Sequence, residues 1–523
     1  MKYLSYLFLL TVMACAPDTP AEVPEIPKRP NILFIMSDDH AERAISAYDN
    51  SLISTPNLDR IANEGMRFAN SFVTNSICAP SRATMLTGLY SHLNGKLDNR
   101  DVFNGDQPTF IKDLQASGYH TSVIGKWHLK SAPQGFDYWR VLIDQGHYYN
   151  PEFVTPTDTT EIIGYTSTVI TDLALEQLQQ RAAGDEPFCM LYWHKAPHRN
   201  WMPDLSDLDG LLEREFPEPP TLRDDYAGRP AAEEADMRIA DMYISKDLKV
   251  TPEYAPVDPG TGGHPTFKGQ QNFLDLLERF TPEQRAAWDP FLDRVGESYL
   301  QAVAEDRLLE WQYQRYMQDY ISSVESVDRN VGRVLDYLDE SGLAENTIVI
   351  YTSDQGFYLG EHGWYDKRFM YEESMRTPLM IRYPLLVEAG TVNEELVLNN
   401  DIAPTLLDMA GVEVPERMQG ASLRPLLTQQ DEPDWRDAAY YHYYEYPHGW
   451  HSVNKHDGVR TDRYKLIHFY GENGEWYELY DLETDGTEVN NRFDDPALAE
   501  VQADLMQRLE ELRVELEVPE VGP

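Results

Sequence analysis

Three largely apolar runs of strand length constrain this chain most: Asn31-Ile32-Leu33-Phe34-Ile35-Met36-Ser37, Phe188-Cys189-Met190-Leu191-Tyr192-Trp193 and Thr347-Ile348-Val349-Ile350-Tyr351-Thr352. None alternates polar with apolar residues, so each predicts a strand buried on both faces, as in a parallel sheet covered by helices. Each also runs straight into polar residues: Asp38-Asp39-His40, His194-Lys195-Ala196-Pro197-His198-Arg199 and Ser353-Asp354-Gln355-Gly356. A shorter strand, Thr121 to Ile124, leads likewise into Gly125-Lys126-Trp127-His128, and Thr377 to Tyr383 supplies another. Helical patterns lie between them, from Thr55 to about Glu64, Phe110 to Ser117, Ser167 to Ala183, Asp306 to Glu340 and Ile402 to Gly411. Strand, polar cluster and helix in rotation predict an α/β fold with a doubly wound, mainly parallel sheet. In such sheets ligands bind beyond the carboxyl ends of the strands, which is where these polar clusters fall.

The 523 residues leave room for a second unit. Met1 to Cys15 carry one Lys, a short apolar run and Val12-Met13-Ala14-Cys15, too short to cross a membrane, and so predict a cleaved export signal. The ending resembles a bacterial lipobox, which implies lipid on Cys15, membrane attachment through that lipid alone, and a periplasmic or outer-membrane-anchored lipoprotein of a Gram-negative bacterium. A plain secretory signal with an incidental Cys15 is the other reading. Residues 16–30, rich in Pro and Glu, read as a tether. The α/β domain is expected over 31–428, with about 204–294 as an irregular insertion on the rim of the site. Near Gln429 the pattern changes, and 429–523 read as a smaller antiparallel-sheet domain. Its hairpin strands would be Arg463 to Phe469 and Glu475 to Leu482, followed by a helix from Pro496 to about Leu512.

The formal charge of −44 argues against nucleic acid or an anionic membrane surface as a partner of the bulk protein. It suits solubility in a salty environment, where screening shortens self-repulsion. An anionic substrate would be repelled as well, so a site for one must gather positive charge locally. Taken singly, Asp38-Asp39 reads as a helix cap and Asp354-Gln355 as a turn. Together they bring three carboxylates and a carboxamide to one sheet edge, a donor set suited to Ca²⁺ or Mg²⁺. His128 and His198 alone would read as structural; with Arg82, Lys126 and Lys367 they form a cationic set.

Cys78-Ala79-Pro80-Ser81-Arg82-Ala83-Thr84-Met85-Leu86-Thr87-Gly88 places a thiol at a predicted helix N-terminus with Arg82 one turn along. Residue types alone predict an acidified, reactive thiol there, or a plain tight turn. The string resembles the signature of type I sulfatases, in which this cysteine becomes 3-oxoalanine (formylglycine). That resemblance implies an alkaline-phosphatase-like fold and one Ca²⁺ held by Asp38, Asp39, Asp354 and Gln355 together with the modified Cys78; the family often has Asn where this chain has Gln355. It further implies Arg82, Lys126 and Lys367 on the sulfuryl oxygens, His198 protonating the leaving oxygen and His128 as the base that restores the aldehyde. The matching elements are Gly125-Lys126-Trp127-His128, Ala196-Pro197-His198 and Asp366-Lys367-Arg368. A formylglycine-generating or radical maturation enzyme is then an implied partner. With Cys15 lipidated and Cys78 oxidised, Cys189 stands alone and no disulfide is expected.

Gln355-Gly356-Phe357-Tyr358-Leu359-Gly360-Glu361-His362-Gly363-Trp364 and His194 to Trp201 resemble bacterial polysaccharide sulfatases. Those act on N-acetylglucosamine 6-sulfate in mucin or glycosaminoglycans, or on algal polysaccharides such as ulvan, so the implied substrate is a sulfated saccharide. Candidate sugar contacts are His456, Arg460, Glu361 and His362; the Tyr- and His-rich stretch Tyr440 to His456 reads equally as alternating strand positions. A phosphodiesterase or phosphonate monoester hydrolase of the same superfamily, or a non-catalytic glycan-binding homologue, are the alternative functions.

Overall fold

The computed structural model describes residues 29–255, 265–430, 432, 434–446, 451–472 and 474–520. The export signal, Cys15 and nearly all of the tether lie outside the described residues. Among the described residues, ten strands form one sheet: β1 (Asn31–Ser37), β2 (Met66–Phe72), β3 (His120–Gly125), β4 (Tyr138–Leu142), β5 (Glu152–Val154), β6 (Thr159–Glu161), β7 (Phe188–Trp193), β8 (Thr347–Ser353), β9 (Leu379–Arg382) and β10 (Thr391–Leu398). Their order is β10-β2-β9-β8-β1-β7-β3-β4-β5-β6. The centre, β8-β1-β7-β3-β4, is parallel throughout, and antiparallel pairs appear toward the edges.

β1 shows why the non-alternating runs sit at the centre. Leu33 and Ile35 pack with Val169 and Ile170 of the helix Thr166–Ala182 and with Val327 and Val331 of the helix Leu308–Ser341. Ile32, Phe34 and Met36 face the other way, onto Ala79 and Ala83 of the helix Cys78–Thr87 and onto Phe110, Ile111 and Leu406. Both faces of the strand are therefore core, and each fully buried Ile, Leu or Phe contributes roughly 1.5–3 kcal/mol. The long helix ends at Gly342, whose φ of 74° is left-handed, as the sequence expects.

The second half of 204–294 is helical where irregular chain was expected. The helix Pro265–Glu278 and the 23-residue helix Pro282–Ala304 occupy it. Phe273, Trp288, Phe291 and Val295 from these helices join the core on the Leu33 face. The second helix is started by a capping box, Thr281 with Gln284, a sequence signal masked by the acidic and proline-rich text around it.

The smaller unit has β11 (Ala438–Tyr443), β12 (His456–Thr461), β13 (Tyr464–Phe469) and β14 (Trp476–Asp481) as an antiparallel meander. The helix Ala499–Glu515 packs on it through Leu505, Leu509 and Leu512. The same core takes in Tyr358, Trp364 and Phe369 from the segment after β8. That segment carries Lys367, so the small sheet anchors a loop of the site.

Candidate active site

Four adjacent strands deliver the site. Ser37 pairs with Ser353, Met36 with Trp193 and Gly125 with Trp193, so β8, β1, β7 and β3 end level. Asp354 N donates to Ser37 O at 3.2 Å and Lys126 N to Trp193 O at 2.9 Å, which sets the first residues beyond the strands side by side. Gly125 is required at one such end: it has φ +107°, and a Cβ there would lie 1.8 Å from Trp193 O. Asp39 and His128 hold left-handed φ values of 66° and 58° just past their strands, conformations that cost energy in a non-glycine residue and that aim both side chains.

Cys78 opens the helix Cys78–Thr87 with 1 % of its surface exposed. The expectation of an acidified thiol is wrong: burial pushes it up to about 12, Asp354 and Asp39 add to that, and Lys367 and Arg82 oppose it. Burial is the largest influence on it, and it outweighs the helix terminus. Arg82, fully buried one turn on, donates to Asp354 Oδ2 from Nε at 3.0 Å and from Nη2 at 2.9 Å, and lies over the Trp193 ring.

Asp38, Asp39 and Asp354 converge, each offering an oxygen within 4.8 Å of the others; Asp38, Cys78 and His198 form a second such group. Lys367 Nζ donates to both oxygens of Asp39, at 2.7 and 2.8 Å. Lys126 Nζ meets Asp38 Oδ2. Gln355 Nε2 donates to Asp39 Oδ1 and lies 3.6 Å from Cys78 Sγ. Burial raises Asp39 to about 6, against the pull of Lys367 and with repulsion from Asp354. Neither Asp38 oxygen completes a hydrogen bond of ordinary geometry, and Gln355 Oε1 is buried without a partner. Buried and all-oxygen, with both Asp38 oxygens and Gln355 Oε1 lacking an ordinary hydrogen bond, this set fits a hard divalent cation.

His128 Nε2 lies 3.5 Å from Asp144 Oδ1, and its ring is pushed down to about 3 by burial and by Lys126. His198 Nδ1 lies 2.5 Å from Arg199 O, leaving Nε2 to face Asp39 Oδ2 at 3.7 Å; burial and Lys126 hold this ring well below the usual histidine range. Burial pushes Lys126 far down as well, opposed chiefly by Asp354, and its Nζ lies against Asp38. Lys367 goes the other way: burial opposes its charge, but Asp39 raises it above the usual lysine range.

Above these residues opens a cavity of about 780 Å³ whose walls include Asp39, His128, His198 and Lys367. Eight lysines and arginines line it against five acidic residues. In a chain with twice as many acidic as basic residues, that is the local positive charge an anionic substrate requires. The sequence reading did not single out Lys195, Arg199, Asp366, Arg368, Gln145 or His451 as site residues, yet all line this cavity. Asp366 and Arg368 flank Lys367, and Lys195 precedes His198 by three, so adjacency was a usable signal there. His451 lies in the Tyr- and His-rich stretch Tyr440 to His456, and Gln145 carried no signal. Lys195 is 3 % exposed, sits over the Tyr148 ring and is pushed down to about 7 by burial.

The four candidate sugar contacts are not among the residues lining this cavity. His456 is fully buried, accepts from Met370 N at 3.1 Å, donates to Asn454 O at 2.8 Å and stacks on Tyr441, Tyr443 and Phe369. Arg460 pairs with Glu372 at 3.3 Å and faces a separate cavity of about 650 Å³. Glu361 pairs with Arg43 and accepts from Leu359 N at 2.6 Å. His362 is fully buried between Asp224 and Glu373. The strand and loop register turns His456 and His362 into the core and leaves Glu361 and Arg460 tied in ion pairs.

Comparison with known proteins adds to this geometry. A model of the family described as Sulfatase matches residues 30–412, and one described as N-sulphoglucosamine sulphohydrolase, C-terminal, matches 360–515. The chain is 48% identical over 513 residues to an N-acetylglucosamine-6-O-sulfatase of Bacteroides thetaiotaomicron, covering 97% of this chain and 89% of the relative. It is 27% identical over 478 residues to an arylsulfatase of Clostridium perfringens, with 88% and 90% covered. Among solved structures, BT4656 in complex with its substrate D-glucosamine-2-N,6-O-disulfate superposes with a TM-score of 0.86 at 47% identity, covering 94% of this chain and 99% of that one. A phosphonate monoester hydrolase from Silicibacter pomeroyi, at 20% identity and TM-score 0.69 over 93% of this chain and 95% of that one, shares the fold.

Proposed function

The chain belongs to the sulfatase family and is a sulfuric ester hydrolase, and from that premise we propose that it removes the 6-O-sulfate of glucosamine residues in a sulfated saccharide. The observation that carries this substrate class is the 48% identity, sustained over 97% of the chain, to an N-acetylglucosamine-6-O-sulfatase. We include in the proposal a formylglycine made from Cys78 by a maturation enzyme and one Ca²⁺ held by Asp38, Asp39, Asp354 and Gln355. Once in place, the hydrated aldehyde would supply an oxygen nucleophile and the cation would lower its pKa.

The remaining work belongs to side chains. Arg82, Lys126 and Lys367 are clustered around Cys78 and the carboxylates, where they offset charge on the sulfuryl oxygens; losing one such donor costs about 10²–10³ in kcat. His198 presents Nε2, because Nδ1 is engaged with Arg199 O. It binds neutral in the free enzyme, and an anionic ester beside it raises its proton affinity, so that it can protonate the departing sugar oxygen. His128, neutral and buried, takes up a proton as sulfate leaves. Lys195, Arg199, Arg368 and His451 line the wall where sugar hydroxyls and flanking groups would lie.

Release of sulfate from a panel of defined saccharides tests the substrate class. Glucosamine 6-O-sulfates should be cleaved and 2-O- or 4-O-sulfated uronides or galactosides should not; preference for a phosphonate or phosphate ester would overturn the proposal. Export through Met1 to Cys15, with lipid on Cys15, is part of the same reading, and mass spectrometry of the mature N-terminus tests it.

A further inference from the structure

Gln145 joins two members of the basic set that the sequence keeps apart. It leaves the turn after β4, where Gly146 N donates to Ile143 O at 2.8 Å and Asp144 takes a left-handed φ of 48°. One end of its amide, Oε1, accepts from Lys126 Nζ, and the other, Nε2, lies 3.0 Å from His128 Nε2. Lys126 Nζ is held against the Asp38 carboxylate and is therefore a donor. That fixes the amide, with its carbonyl toward the lysine and its N–H toward the imidazole. An N–H can meet only a ring nitrogen that carries a lone pair. The proton of the neutral ring is then on Nδ1, a buried atom with no hydrogen-bond partner.

We propose that Gln145 is a positioning residue for the sulfatase reaction, holding the neutral His128 ring as the Nδ1–H tautomer with its lone pair on Nε2. This rests on the reading of His128 as the base. The charged groups facing His128 are Asp144 and Lys126 on its flank and Arg82 from the helix Cys78–Thr87. Asp144 by itself would favour a proton on Nε2. It lies farther off, at 3.5 Å against 3.0 Å for Gln145, and its side chain is 70% exposed, so water screens it. Burial and Lys126 keep the ring neutral, so tautomer, not charge, is what a neighbouring amide can set.

Nitrogen-15 histidine spectra of the full chain read the tautomer without turnover, with His128 assigned by the signals lost in His128→Gln. The wild type should show the Nδ1–H pattern from about pH 8 to about pH 5. In Gln145→Glu the carboxylate cannot donate, so the pattern should switch to Nε2–H and the ring should take up a proton inside that range. Gln145→Leu should show mixed tautomers, with kcat for a sulfate ester lowered about tenfold or more and KM held within about twofold. An Nε2–H pattern in the wild type, or a Gln145→Glu spectrum that matches the wild type, would overturn the assignment. A wild type with the Nδ1–H pattern and no sulfate-ester cleavage would instead overturn the base role and the function on which it rests.

Discussion

Lys367 grips Asp39 with one ammonium on both carboxylate oxygens, at 2.7 and 2.8 Å, and both side chains are almost fully buried. The pair sits at the junction of the carboxylate cluster and the cavity. Lys367→Met would leave a carboxylate crowded by Asp354 with no cation against it, a change that typically costs about 3–5 kcal/mol. We expect a lower Tm and a kcat reduced about 10²–10³-fold. Calorimetry and steady-state kinetics check both, and Ca²⁺ should recover more of the Tm than of the kcat.

The donor set of Asp38, Asp39, Asp354 and Gln355 predicts dependence on a divalent cation. Chelation should abolish turnover and lower Tm, and Ca²⁺ at about 100 times its Kd should return about 2.7 kcal/mol of stability. Asp354→Asn should weaken that recovery and also free Arg82, which spends two donors on Asp354. A melting curve unmoved by Ca²⁺ would count against a cation site here.

Cys78→Ser keeps a small buried side chain at the helix start and should leave Tm nearly unchanged while eliminating turnover. The thiol, pushed up to about 12 by burial, is a poor nucleophile as it stands. Mass spectrometry of the peptide spanning residue 78 should show the aldehyde in active protein only. Full activity in the serine variant would sink the formylglycine proposal.

His362 supplies a test of stability against pH. Burial works against its charge, but Asp224 and Glu373 raise it to about 9 from 6.5. A group raised in the folded state contributes stability that is fully present below the unfolded pKa and is lost as pH climbs through the folded one. Stability should therefore fall between about pH 6.5 and pH 9, by on the order of 3 kcal/mol. His362→Gln should flatten that slope. Denaturant midpoints across the range read it directly.

Ionic strength gives a last check. The basic cavity lies in an acidic protein, so added salt should weaken the local attraction for an anionic ester and raise KM with less effect on kcat. An unchanged KM from low to high salt would mean that the lining charges do not face the substrate.

Much of this was legible because the informative signals are local. An apolar run ended by acids or bases marks a buried strand and its polar tip, which put Asp38, Asp39, Asp354, Lys126, His128 and His198 at strand ends; the roles expected of them came from the family resemblance. Cys78, Arg82 and Lys367 came from motifs. Glu361, His362, His456 and Arg460 lie outside the lining of this cavity, because residue type does not say which side of a loop or strand faces it. His456, paired across from Tyr443 and Phe469, fills the core of the small sheet instead.

The sequence by itself determined the kinds of groups at the strand ends and the alternation that forces a parallel sheet, since hydrophobic periodicity and turn chemistry are written in neighbouring residues. Only the tertiary structure decided which ends meet. Strand order brings β8, β1, β7 and β3 together from positions hundreds of residues apart, buries Cys78 among carboxylates so that its thiol moves away from reactivity, and sets Gln145 between Lys126 and His128. Burial and pairing are long-range properties, and the charge state of a side chain follows them and not its neighbours in sequence.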